Sequence, residues 1–151
     1  MSVAGGEVPD ELKDAWNKFS QGGDARKLRR HLPDLQRSVS LVRGLEASLR
    51  AAFGDTKPEA VDAAARANIR TTLVSSLQSH SMSIGGVLKV FSRLSADAQG
   101  AIQKVLGWIA EHLVSMLTAF SAHLGLQSWS VSAEIATLPP EAAFTITLTF
   151  G

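Results

Sequence analysis

The chain contains no cysteine and no tyrosine. The first absence removes disulfides, thiolate zinc sites, iron–sulfur clusters and cysteine nucleophiles together. It fits a reducing, cytoplasmic setting. Charge is scarce and balanced, with 15 Lys and Arg against 14 Asp and Glu. Such a balance disfavours nucleic acid, whose binding draws on a strongly basic domain. Met1 to Asp10 has neither a basic flank nor an apolar core, so it does not read as a signal peptide. A run of about 18 uncharged apolar residues, the minimum for an ordinary membrane helix, is also missing. The richest stretch, Ala101 to Phe120, carries Lys104, Glu111 and His112 near its middle.

Catalytic and metal-binding patterns are equally thin. The histidines are His31, His80, His112 and His123, with no HxH or HExxH among them. His112 and His123 fall near one helix face but about 16 Å apart by helical rise, too far to share a metal. Asp10, Glu11 and Asp14, like Asp55, Glu59 and Asp62, sit where helix starts favour negative charge. Glu111 and His112 are adjacent and so diverge by about 100° on a helix. No GxSxG is present, and the serines at 75, 76, 79, 81 and 83 stand in no nucleophile motif with a partner set to activate them. Gly22-Gly23 and Gly85-Gly86 lack phosphate-loop spacing. The reading is therefore non-enzymatic, with no cofactor and no metal.

The fold is better marked. Length predicts one domain over 1–151. We expect a mainly α chain: a frayed 1–8, a bundle of five to six helices over 9–125, and a two-stranded antiparallel β-hairpin over 126–151. Pro9 suits the first turn of a helix bearing Leu12, Ala15, Trp16 and Phe19, closed by Gly22-Gly23. Asp24 is a candidate N-cap for a second segment, whose apolar positions from Leu28 to Phe53 recur at steps of mostly three and four. Pro33 should kink or restart that helix, and Gly54 suits a left-handed C-terminal cap. Thr56 and Glu59, flanking Pro58, have capping-box spacing for a helix from Pro58 to about Ser79. Seven Ser or Thr in 71–86, ending in Gly85-Gly86, suggest a break near His80 to Ser83. Ser95 then caps a long helix over 96–124, apolar on most of its circumference, with Gly125 closing it.

The period then drops from about 3.6 to 2. Trp129, Val131, Ala133 and Ile135 alternate with Ser128, Ser130, Ser132 and Glu134. Phe144, Ile146, Leu148 and Phe150 alternate with Thr145, Thr147 and Thr149. A hairpin of this kind has one apolar and one hydroxyl-rich face. The apolar face must be covered, most simply by the 96–124 helix, and both outer edges lack lysine or an internal proline. The chain as given runs out within the second strand, as expected either of a domain cut from a longer protein or of a strand that pairs with something.

Charge is segregated as well. Residues 24–53 hold seven basic side chains against three acidic ones, and 63–93 hold Arg66, Arg70, Lys89 and Arg93 with no acid. The leading expectation is a protein–protein interaction or oligomerisation module, a homo-oligomer or the receiver of a protein partner. Its contacts would come from the hairpin residues Trp129, Val131, Ile135, Phe144, Ile146, Leu148 and Phe150. The basic contacts would be Arg26, Lys27, Arg29, Arg30 and Arg37. One alternative is a membrane-active effector that inserts helix 96–124, with 101–124 meeting the membrane. Another is a small-molecule binding domain with a pocket among the Ser/Thr-rich helices.

Overall fold

The computed structural model describes residues 8–19, 24–137 and 140–150. The expected frayed N-terminus, the Gly22-Gly23 break and the turn residues Leu138-Pro139 lie wholly or largely outside the described residues. Within them are α1 (Lys13–Phe19), α2 (Asp24–Leu28), α3 (Leu32–Phe53), α4 (Ala63–Val90), α5 (Ala96–Leu124), β1 (Leu126–Thr137) and β2 (Pro140–Phe150). The architecture is a helical bundle with a C-terminal two-stranded antiparallel sheet.

Helix α5 is the centre. Ile102, Leu106, Ile109, Leu113, Leu117 and Leu124 have no solvent exposure, and the second stripe of Val105, Trp108 and Met116 is buried too. Two apolar stripes let it pack on several sides at once. It meets α1, α3, α4 and both strands. Ser95 caps its start, its Oγ accepting from the Ala98 amide at 3.3 Å. Gly125 closes it at φ 69° and ψ 34°, the left-handed conformation that costs glycine least.

Pro33 produces a restart. Helix α2 ends at Leu28, a turn carries Arg29 to His31, and α3 begins at Leu32 with the proline in its first turn. There the missing N–H costs no helical bond. The expected cap at Gly54 is corrected, because its φ of 7° and ψ of −90° are not left-handed. The capping box is corrected as well. Pro58–Ala60 forms only a short 3-10 turn with no side-chain cap at Lys57, and α4 starts at Ala63. Asp62 is the cap, its Oδ2 accepting from the amides of Ala64 and Ala65 at 3.1 and 3.2 Å.

The largest correction concerns the break near His80 to Ser83. Helix α4 runs unbroken from Ala63 to Val90. Its buried positions Leu73, Leu77, His80, Ile84 and Val87 step by three and four straight through the region. Thr71 and Thr72 turn their hydroxyls onto the carbonyls of Ala67 and Asn68, at 3.0 and 3.1 Å, so hydroxyl content here is compatible with helix. Gly86 serves close packing: a Cβ there would stand 2.8 Å from the His31 ring. Tertiary contact has overridden propensity.

The hairpin register pairs Trp129 with Leu148, Val131 with Ile146, Ala133 with Phe144 and Ile135 with Ala142. The first three are cross-strand pairs on the apolar face, which lies against the bundle as expected. Strand β1 follows α5, while β2 meets α4 and the 3-10 turn Phe91–Arg93.

The continuity of α4 is testable at its two glycines. A Cβ at Gly85 meets nothing within 4 Å. Gly85→Ala is expected to stabilise the protein by about 0.5–1 kcal/mol in urea denaturation. Gly86→Ala should destabilise it against the His31 ring. A loss of stability in Gly85→Ala would instead indicate a break.

Candidate interaction surface

The surface is anchored where α5 hands over to β1. The last carbonyls of a helix have no partner within it. Here two arginines from successive turns of α4 supply donors. Arg66 Nε donates to the His123 carbonyl at 3.0 Å, and its NH2 donates to the Pro58 carbonyl at 3.1 Å. Arg70 Nε donates to the Leu124 carbonyl at 2.6 Å, and its NH2 to the Gly125 carbonyl at 3.2 Å. The Arg70 guanidinium also lies 4.8 Å from the centre of the Phe150 ring. Two positive charges thus sit at the negative end of the α5 dipole and hold both ends of the hairpin's open side. His123 adds a bond from its Nε2–H to the Thr56 carbonyl at 2.7 Å, with its ring stacked on Phe53.

Further along, the hairpin covers His80. This side chain is 1% exposed, and neither ring nitrogen has a hydrogen-bond partner. The Phe144 ring meets it edge-on at 4.9 Å. Burial pushes the imidazole down to about 4 from an ordinary 6.5, so it is neutral near pH 7.

The predicted hairpin residues occupy one face, and that face is turned inward. Trp129, Val131, Phe144, Ile146, Leu148 and Phe150 all pack against the core, yet each remains only half-buried. Ile135 is paired with Ala142 in the backbone register, while its side chain lies outside the described residues. The helix residues beneath are far better sealed, so the hairpin is a thin outer layer. Its opposite face is a hydroxyl ladder, pairing Ser128 with Thr149, Ser130 with Thr147 and Ser132 with Thr145. Among the described residues the sheet has two strands, so each strand has one unpaired edge. An open groove of about 400 Å³ runs beside β2, lined by Arg70, Thr71, Val74, Ser75, Gln78 and Phe150.

The basic residues are exposed but not equivalent. Arg26, Arg29 and Arg30 project from α2 and the turn after it. Lys27 instead donates to the Arg93 carbonyl at 2.9 Å, tying α2 to the turn beneath β2. Arg37 pairs with Asp34 at 3.4 Å on α3 and lines a separate groove between α3 and α4. That second groove, of about 310 Å³, carries Ser40, Ser48, Thr72 and Ser76. It is open and shallow, unlike the enclosed pockets that hold most small ligands.

Helix α5 is long and apolar enough to cross a membrane, although its apolar stripes are occupied by core contacts. Among the described residues no group of three or more His, Asp or Glu side chains could hold a metal ion. One polar cluster escaped the sequence reading. Trp108 Nε1 donates to Glu11 at 3.2 Å, His112 stacks on the indole at 3.9 Å, and its Nδ1–H donates to the Trp108 carbonyl at 2.8 Å. These contacts dock the N-terminal turn on α5. Comparison with protein-family models, curated proteins and solved structures finds no match for this chain.

Two expected outcomes follow from this geometry. Arg70→Ala removes two charge-assisted bonds and the ring contact, and should cost about 2–3 kcal/mol in denaturant. Arg70→Lys keeps the charge without the fork and should recover less than half of that loss. For His80, the unfolded chain binds a proton more readily than the fold. Stability is therefore full above about pH 6.5 and is lost as pH falls toward 4, by about 3 kcal/mol in total. His80→Leu should remove that part of the pH dependence. An unchanged pH profile would contradict the buried, unpartnered state.

Proposed function

We propose that this protein is a non-enzymatic self-assembly module in which copies join through the free strand edges of the hairpin. The observation that carries the reading is the pair of long unpaired edges on a two-stranded sheet. Sheet edges present rows of free N–H and C=O groups, and proteins that stay monomeric blunt them with charge, proline or cover. Here Glu134 is the single charge between Leu126 and Ala136 on β1, and no charge lies between Ala142 and Phe150 on β2. Pairing β2 with the β2 of a second copy makes a four-stranded sheet with twofold symmetry, while pairing β2 with β1 continues head to tail. The groove between α4 and β2 gives an incoming strand a partly apolar floor at Val74 and Phe150. In either arrangement the apolar face stays on the bundle, and its half-covered side chains gain further cover. The exposed guanidinium groups of Arg26, Arg29 and Arg30 give a second, electrostatic contact for residues 94–151 of a neighbouring copy, where Asp97, Glu111, Glu134 and Glu141 outnumber Lys104.

Sedimentation analysis at tens of micromolar is expected to show a mass above that of one chain. Adding the charge that the edges lack at two positions that are not cross-strand partners, as Ser128→Lys with Thr145→Lys, should return the protein to single chains without loss of helical signal. A wild-type protein that sediments as a monomer at that concentration would refute the reading.

A further inference from the structure

The hairpin has three properties that packing against a helix pair does not require. Its strands are 12 and 11 residues long, about twice the usual 5–6. It contains no Lys, Arg or His, and its acids are Glu134 and Glu141 alone. Its outward face is hydroxylated in register, while the opposite face is apolar without interruption from Phe144 to Phe150. Soluble sheets with one wet face ordinarily carry lysine and glutamate there.

Strand length has a physical meaning. Eleven residues at about 3.3 Å each, tilted by about 45°, cover about 25 Å along the tilt axis, the height of the apolar band on a membrane barrel. The alternation fits the same setting. Trp129, Val131, Ala133, Phe144, Ile146, Leu148 and Phe150 would face lipid tails. Ser128, Ser130, Ser132, Thr145, Thr147 and Thr149 would face water. A single hairpin cannot enter lipid, because its two edges would leave backbone groups without partners. Edge pairing between copies supplies those partners, and about eight copies close a barrel of about 16 strands, the size at which such barrels enclose an aqueous channel.

We propose that assembled copies release their hairpins from the helices and insert them together into a lipid bilayer as a water-filled β-barrel. This rests on the edge-pairing reading above. The means of release are in place. The hairpin follows the bundle at Gly125, where Arg70 holds the junction, so release keeps that junction as the pivot and breaks the Arg70 contact with Phe150. Its apolar side chains are half-buried where those of α5 beneath are sealed. Lifting Phe144 returns water to His80, which has no other partner. The lumen would carry a ring of Glu134, one per copy, on the hydroxyl face opposite Ala143. Such a ring favours cations.

The test uses the full chain with vesicles of phosphatidylcholine and phosphatidylglycerol holding a trapped dye. Its lack of cysteine makes each introduced thiol unique. The wild type is expected to release dye. His80→Cys with Phe144→Cys, joined by a reducible thiol crosslinker, should release none until the crosslink is cut. An environment-sensitive fluorophore placed in turn at 145, 146, 147 and 148 should report lipid at the even positions and water at the odd ones. Glu134→Gln should shift the reversal potential of the conductance toward zero. Because the double variant can misfold, the fluorophore series stands independently. Soluble oligomers that neither release dye nor show the alternation overturn the barrel and leave edge pairing intact. A monomer in solution and on vesicles overturns both. Release without alternation, or from the crosslinked form, also overturns the proposal, since helix α5 or general bilayer disruption would then be responsible.

Discussion

The carboxyl end of α5 is the constraint on which the rest of the structure depends. The longest and most buried helix ends with its carbonyls pointing at the point where the chain must change from helix to strand. Arg66 and Arg70 meet those carbonyls, and the same two side chains reach Pro58 before α4 and Phe150 at the far end of β2. One junction therefore fixes the loop before α4, the start of α4, the end of α5 and the open end of the hairpin. Without it, the hairpin would be attached by Gly125 and by a half-covered apolar face. With it, the two strands are aimed along the α4 and α5 surfaces.

This arrangement divides the molecule into a sealed part and a thin part. The sealed part is α1, α3 and α5, where Phe19, Leu35, Leu49, Ile109 and Leu113 have no exposure. The thin part is the hairpin, held firmly at one end by cation and dipole and resting elsewhere on apolar contact. His80 lies between the two. A buried imidazole without a hydrogen bond is costly, because desolvation is not offset by any partner. That cost falls on the interface between α4 and β2, the one that would open if the hairpin moved. The proposals for assembly and membrane entry both concern the thin part.

Much of this was legible in the sequence, for identifiable reasons. Helix α5 was readable to the residue, since Ser95, the two apolar stripes and Gly125 are all local signals. The hairpin was readable because a change of period from 3.6 to 2 needs no tertiary information. The continuity of α4 was not readable. Its Ser/Thr content and paired glycines look like a break, and only the packing of Gly86 on His31 explains them. The capping box at Thr56 misled because Pro58 permits a 3-10 turn just as well, leaving Asp62 as the working cap. The site was half legible. The apolar hairpin residues and their cover by α5 were readable, but the contact of β2 with α4 was not. Arg66 and Arg70 were visible as cations one turn apart within 63–93, a stretch that holds no acid. Nothing local could show that their counter-charge is a helix end more than fifty positions away.

The central claim is that the free edges of the hairpin are where copies meet. Hydrogen exchange over 126–150, followed by mass spectrometry across a series of protein concentrations, addresses it directly. The amides that point outward from β1 and β2 exchange quickly in a single copy, because no strand accepts from them. Their protection is expected to rise with concentration while that of α5 stays constant. Exchange in the hairpin that is the same at every concentration, in a protein shown to associate, would place the contact elsewhere and contradict the account.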